Sequence, residues 1–186
     1  RLPSALGLAL AAIAALWGGA ALIGQRPALL GAGLFAAGML AGLEGMLAKT
    51  DALLAGFTTL AMAALAHLRM GAPRPKLMSA VFWGALACAV LIKGPVAPAV
   101  VALTLAALAL WERSARWMTP LLWWPGLLLA AAIAAPWFIS VNLTTGGAFF
   151  AGMLGDIAPK MASGEWLPGF YLFLLPFLIF PATYAL

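Results

Sequence analysis

Within "GLEGMLAKTDALLAGFTTL", Glu44, Lys49 and Asp51 lie a few residues apart in sequence apolar enough to sit in lipid. A charge in hydrocarbon is costly, so an ionic side chain there needs a partner or water and is a functional candidate by default. Glu44 falls about one turn inside an apolar run, and Asp51 opens the next run behind Thr50. Thr50 and Asp51 can simply start a helix, one as its cap and the other complementing the positive end of the dipole. Alternatively Asp51 and Glu44 share a polar site, with Lys49 neutralising one of them. "VLIKGPVAPAVVAL" also has two readings. Lys93 at a helix C-terminus, Gly94 in the left-handed cap position and Pro95 opening the next helix make a reversal that any helical hairpin can use. A lysine held by that stiff turn is equally a point charge for a phosphate, and phosphates embedded in membranes belong to lipid carriers. A third candidate region, "NLTTGGAFFAGMLGDIAPKMASGEW", places Asp156, Lys160 and Glu165 after Phe149, Phe150, Met153 and Leu154. Those apolar residues suit a lid against lipid better than a solvated loop.

The elements that position these residues follow from composition. The chain is 66% hydrophobic and 8% charged, against about 25% charged residues in an ordinary soluble domain. The excess is Ala, Leu and Gly, without the period-2 alternation of an outer-membrane barrel, so the expected fold is all-α, a polytopic transmembrane bundle. Cutting at charges, Pro and Gly gives about seven spans of roughly 16 to 25 residues, suited to a hydrocarbon core about 30 Å thick. They are expected near Ser4–Gly24, Ala28–Met46, Asp51–Leu68, Leu77–Ile92, Val96–Trp111, Trp117–Val141 and Gly169–Leu186, in a single transmembrane domain over 1–186. One connection is long, Asn142–Pro168, and unusual length in a loop points to function. The chain opens on Arg1 and closes inside an apolar run, which reads as a fragment, and its first segment reads as a span and not a signal peptide.

If successive spans alternate, one side receives Arg26, Arg69, Arg74, Lys76, Arg113 and Arg116, six of the ten basic residues. By the positive-inside rule that side is cytoplasmic. The other side receives Glu44, Asp51, Asp156 and Glu165, four of the five acids, together with Lys49, Lys93 and Lys160. Acids contribute little to topology, so their gathering at the ends of different spans indicates a shared polar site. His67, on the basic side, reads as an interfacial residue. Cys88 reads as a small core residue, and the sequon at Asn142 as chance. Trp111, Trp117, Trp123, Trp124 and Trp166 fall where an aromatic belt would, and Gly38 with Gly42 favours close helix packing.

"EGMLAKTDALLAGFTTLAMAAL", "LIKGPVAPAVVAL" and "PWFISVNLTTGGAFF", in that order and spacing, resemble the aminoarabinose-to-lipid-A transferase and protein O-mannosyltransferase group of GT-C membrane glycosyltransferases. The resemblance runs from about Leu34 onward. It implies transfer of a sugar from a polyprenyl phosphate to a lipid or protein acceptor on the periplasmic face of a bacterial inner membrane, within a larger GT-C-type membrane domain. Carried over by position, Asp51 resembles the acid of the Thr-Asp-Ala motif and Glu44 the acid before it. Lys93 resembles the Lys-Gly-Pro lysine, and Lys160 the basic residue of the outer loop. Under this resemblance Asp51 and Glu44 are catalytic candidates and Lys93 and Lys160 hold the donor phosphate; Asp156 and Glu165 remain candidates from the composition of the loop itself. A leaving phosphate needs cationic stabilisation and a hydroxyl acceptor needs a carboxylate to take its proton. Two departures stand out: the family's first outer loop, with its catalytic carboxylate, would lie upstream of Arg1, and "KMASGEWLPGFY" lacks the histidine common before the Pro-Gly turn. The fragment alone is therefore expected to be inactive.

No cofactor is assigned; a divalent metal stays open, although no ligand cluster of suitable spacing supports one. Expected partners are a polyprenyl-phosphate-linked sugar, a lipid or protein acceptor and membrane lipids, and not nucleic acid. The rival function is a membrane transporter with an interfacial ion or substrate site, since paired intramembrane charges also serve relays. A structural subunit is the third, with its polar residues serving as caps and snorkelling anchors.

Overall fold

A computed structural model describes residues 2–38, 42, 49–149 and 152. Every regular element among them is helical: α1 (Leu2–Ile23), α2 (Gln25–Ala37), α3 (Asp51–Arg69), α4 (Pro75–Lys93), α5 (Val96–Glu112), a 3-10 segment (Arg116–Leu122) and α6 (Trp124–Thr145). Ala and Leu favour helix, and the punctuation falls where stiff or permissive residues stand. Pro75 occupies the first turn of α4, where its missing N–H costs nothing. Gly94 ends α4 at φ 62, a backbone region open to glycine, and Gly24 separates α1 from α2 at φ 88. Among the described residues four helices, α1, α3, α4 and α6, are long and apolar enough to cross a membrane, and α5 is a shorter apolar helix. The hydroxyls of Ser140, Thr144 and Thr145 on α6 donate to carbonyls one turn back, on Pro136, Ser140 and Val141, so these polar groups are satisfied within their own helix.

The closest helix pair is parallel. Ser4, Gly7, Ala11, Ala14 and Gly18 are the buried residues of α1, all small and all on one stripe. They meet Ala52, Gly56 and Ala63 on α3. A Cβ at Gly18 would stand 2.7 Å from the Ala63 Cα, and one at Gly56 would stand 2.6 Å from the Gly7 carbonyl oxygen. Such backbone proximity is how helices associate in lipid, where dispersion has to do what the hydrophobic effect does in water. Near the far end of the same interface His67 stacks on Trp17, ring centroids 4.3 Å apart. Its Nε2 lies 3.2 Å from the Trp17 carbonyl oxygen, and since a carbonyl only accepts, that nitrogen carries the proton. His67, in the last turn of α3, is half-buried and is a packing residue of the α1–α3 contact.

α4 packs between α3 and α6. Ala61, Ala64, Leu65 and Leu68 of α3, Phe82, Ala85, Leu86 and Ala89 of α4, Ala97 and Val101 of α5, and Leu121 form one core. Gly126 brings α6 against Trp83, whose Nε1 donates to the Leu121 carbonyl at 2.9 Å. The contacts fix direction: α1, α3 and α5 run one way, while α2, α4 and α6 return.

Three expectations are corrected. The second span does not run as one helix to Met46: α2 stops at Ala37, because Gly38 is extended at φ −61, ψ 138. The sixth does not start at Trp117, because Pro120 lies within a separate 3-10 segment and α6 begins at Trp124 and continues to Thr145, absorbing the start of the expected outer loop. Gly38 and Gly42 do not bring two helices together among the described residues: a Cβ would meet only the backbone of α2 at Gly38 and nothing at Gly42. Gly169–Leu186 lies outside the described residues.

Replacing Gly18 with Leu should push α1 from α3 and destabilise the folded chain by roughly 1–3 kcal/mol, the usual cost of overpacking. Denaturant titration of the protein in mixed micelles measures it, and an unchanged midpoint would contradict the backbone-to-backbone contact.

Candidate functional site

α3 opens at Asp51 and α4 closes at Lys93, and because the two helices are antiparallel these ends meet. Lys93 Nζ donates to Asp51 Oδ1 in an ion pair between residues 42 apart in sequence. Both side chains are partly open, at 41% for Asp51 and 48% for Lys93, so the pair sits on a rim and not in a dry core. The Lys93 end of α4 is fixed by the Gly94 turn, whose N–H bonds to the Val90 carbonyl at 2.8 Å, and by Pro95, from which α5 departs. The Asp51 end is fixed from α1. Buried Ser4 donates its Oγ proton to the Lys49 carbonyl at 2.9 Å, tying the approach to α3 onto the first turn of α1. Lys49 itself is exposed beside this rim. Thr50 does not cap α3 with its side chain; it is already in the right-handed helical region, at φ −82, ψ −8.

The alternation of helix direction also returns the C-terminus of α6 to this end. Gly126 on α6 lies near Ser79 and Trp83 on α4, and Leu129 lies near Gly84, so the two helices run in parallel and Thr145 arrives on the Lys93 side. There Phe149 turns back onto Trp137, ring centroids 5.5 Å apart. The two predicted site residues that fall in the described part, Asp51 and Lys93, are therefore brought together. Glu44, Asp156, Lys160 and Glu165 lie outside the described residues, as do Phe150, Met153, Leu154 and Trp166. Among the described residues no group of three or more His, Cys, Asp or Glu side chains could hold a metal ion.

The opposite end carries a second ionic cluster that the residue spacing did not disclose. Glu112, last residue of α5, faces Arg69 of α3, with Oε1 2.5 Å from Arg69 Nη2. Its Oε2 accepts from Trp117 Nε1 at 2.9 Å. One carboxylate thus joins α3, α5 and the 3-10 segment. Trp117, expected as part of an aromatic belt, is half-buried and held by this acid, whereas Trp111 and Trp124 are 89% and 67% exposed as belt residues would be. The available signal was a lone acid in "WERSARW", four residues before Arg116. Only the fold brings Arg69 to it.

No protein-family model matches the chain, and neither does a curated protein or a solved structure.

Two measurements check these pairs. In a double-mutant cycle with Asp51→Asn and Lys93→Gln, the coupling free energy should be about 0.2–1 kcal/mol, as for a partly exposed pair; a value of zero would place the two groups apart in solution. Glu112→Ala should destabilise more than Glu112→Gln, by about 1 kcal/mol, because the amide still accepts from Trp117 whereas alanine also leaves the indole N–H without a partner. Equal unfolding midpoints for the two variants would contradict that geometry.

Proposed function

We propose that this chain is part of a membrane glycosyltransferase that moves a sugar from a polyprenyl phosphate to a lipid or protein hydroxyl. The Asp51–Lys93 ion pair carries the reading: it sets a carboxylate and an ammonium side by side on one rim of an apolar helical bundle. The words around those residues, "KTDALLAG" and "LIKGPV", are the ones that resemble the GT-C group.

In the reaction, the acceptor oxygen bonds to the anomeric carbon as the bond from that carbon to the phosphate oxygen breaks. The electron pair leaves on the phosphate, where Lys93 offsets the developing negative charge. The hydroxyl proton passes to Asp51. In the ligand-free pair each group satisfies the other. An incoming phosphate competes with Asp51 for Lys93, and the carboxylate that loses its cation becomes the better proton acceptor. Binding the donor therefore readies the base. Glu44 and Lys160 join this rim by resemblance, and Asp156 and Glu165 by the alternation of spans. The six of ten basic residues at the other end support, by the positive-inside rule, a cytoplasmic reading for that end and a periplasmic one for the ion-pair rim; the bacterial inner membrane is what the resemblance implies.

A transporter would carry its charges near mid-depth on broken helices. Asp51 is instead the first residue of α3 and Lys93 the last of α4, which favours chemistry at an interface.

The test is transfer by the full-length protein from a polyprenyl-phosphate sugar. Lys93→Ala should lower kcat/KM for the donor by roughly 10²–10³-fold. Asp51→Asn should lower kcat by about 10²–10⁴-fold with donor binding kept. Transfer at the original rate by a folded Lys93→Ala protein rejects the assignment.

A further inference from the structure

The end of the bundle opposite the ion pair poses an electrostatic problem that the transferase reading does not address. Arg26, Arg69, Arg74, Lys76, Arg113 and Arg116 stand there, and among the described residues only one acid, Glu112, accompanies them. Glu112 is already taken by Arg69 and Trp117. Arg26, Arg74, Lys76, Arg113 and Arg116 are exposed, and their side-chain cations have no ionic or hydrogen-bonded partner among the described residues.

Their placement is also unfavourable for the helices that carry them. Arg26 lies in the first turn of α2, and Arg74 and Lys76 flank the first residue of α4, where the positive end of the dipole disfavours cations. Neither helix start has a side-chain cap. Arg113 ends α5 at φ 49, ψ 28, in the left-handed region, and it is the one non-glycine with positive φ among the described residues. Glycine would adopt that conformation without a Cβ clash. An anion held at this end would offset the cost of the cations at the two helix starts.

The cations are interleaved with large apolar side chains that water does not suit. Leu110 is 80% exposed, Trp111 89%, Leu122 79% and Trp124 67%. They bracket Arg113 and Arg116, while Leu77 follows Lys76 and is 48% exposed. A soluble polyanion would answer the charges and leave these side chains bare. A leaflet rich in anionic phospholipid answers both, offering phosphates at the depth of the guanidinium groups and acyl chains beside the tryptophans.

We infer that the α3–α4 turn and the α5–α6 connection form a binding surface for anionic phospholipid headgroups. Arg74 and Lys76 supply one side and Arg113 and Arg116 the other. Arg69 is reserved by Glu112 and holds the two connections together. The inference is independent of the transferase reading.

The experiment reconstitutes the full chain in phosphatidylcholine bilayers with and without phosphatidylglycerol, then measures the unfolding midpoint and the phosphatidylglycerol retained after mild delipidation. Phosphatidylglycerol should raise the midpoint, and added salt should reduce the gain. Joint replacement of Arg74, Lys76, Arg113 and Arg116 by Gln should abolish the gain and cut retained phosphatidylglycerol, by about five-fold for each cation removed. Arg113→Gly guards against simple misfolding: its midpoint in pure phosphatidylcholine should equal or exceed that of the parent, because glycine relieves the left-handed backbone, while its retained phosphatidylglycerol falls. An unchanged lipid yield in either variant overturns the proposal. So does an equal gain when soluble heparin is added to the protein in phosphatidylcholine, which would make the partner a polyanion in solution.

Discussion

Ser4, Gly7, Ala11, Ala14 and Gly18 let α1 lie against α3 at backbone distance, in a contact that runs from the Ser4 bond to the Lys49 carbonyl at one end to the Trp17–His67 stack near the other. Lipid tails are as apolar as leucine, so helices gain little by hiding leucine from them; they gain by bringing backbones close enough for many weak contacts. Once α3 is held in this register, its first residue, Asp51, is level with the last residue of α4. Its last residue, Arg69, is level with the last residue of α5. Both ion pairs then depend on how α4 and α5 pack on the opposite side of α3, through the core around Phe82.

The two ends then differ in kind. At the Asp51–Lys93 rim, opposite charges balance and the supports are stiff: the Gly94–Pro95 turn on one side and the bond from Ser4 to the Lys49 carbonyl on the other. A balanced pair on rigid elements suits a site where one partner must be exchanged for a ligand group. At the other end positive charge is in excess, and Glu112 serves as a structural tie. Excess cation beside exposed tryptophan is what a headgroup layer accommodates.

The middle of the bundle is quiet by comparison. Phe82 is the largest fully buried side chain among the described residues, and around it the core is mostly alanine and leucine. The outer faces of α1, α5 and α6 expose Leu6, Ile13, Leu103, Leu128 and Ile139, as surfaces turned to acyl chains do. The polar groups on α6 are closed back onto its own carbonyls, leaving chemistry to the helix ends.

From the sequence alone the helical class was legible, because hydrocarbon leaves few backbone solutions and the Ala and Leu runs exclude a barrel pattern. So were the ends of α3, α4 and α5, fixed by local chemistry: Pro75 in a first turn, Gly94 at positive φ, and charges that cannot go deeper. That Asp51 and Lys93 belong to one side was also legible, since alternation follows from counting spans. Tertiary structure decided the rest. Whether Asp51 meets Lys93, which acid Arg69 finds, and that His67 serves Trp17 all depend on the register between helices far apart in sequence. Between α3, α4 and α5 it is set by the core around Phe82, and between α1 and α3 by the stripe of small residues on α1, whose spacing is ordinary in an alanine-rich chain. Its meaning appears only when the surface it fits, Ala52, Gly56 and Ala63, is placed against it.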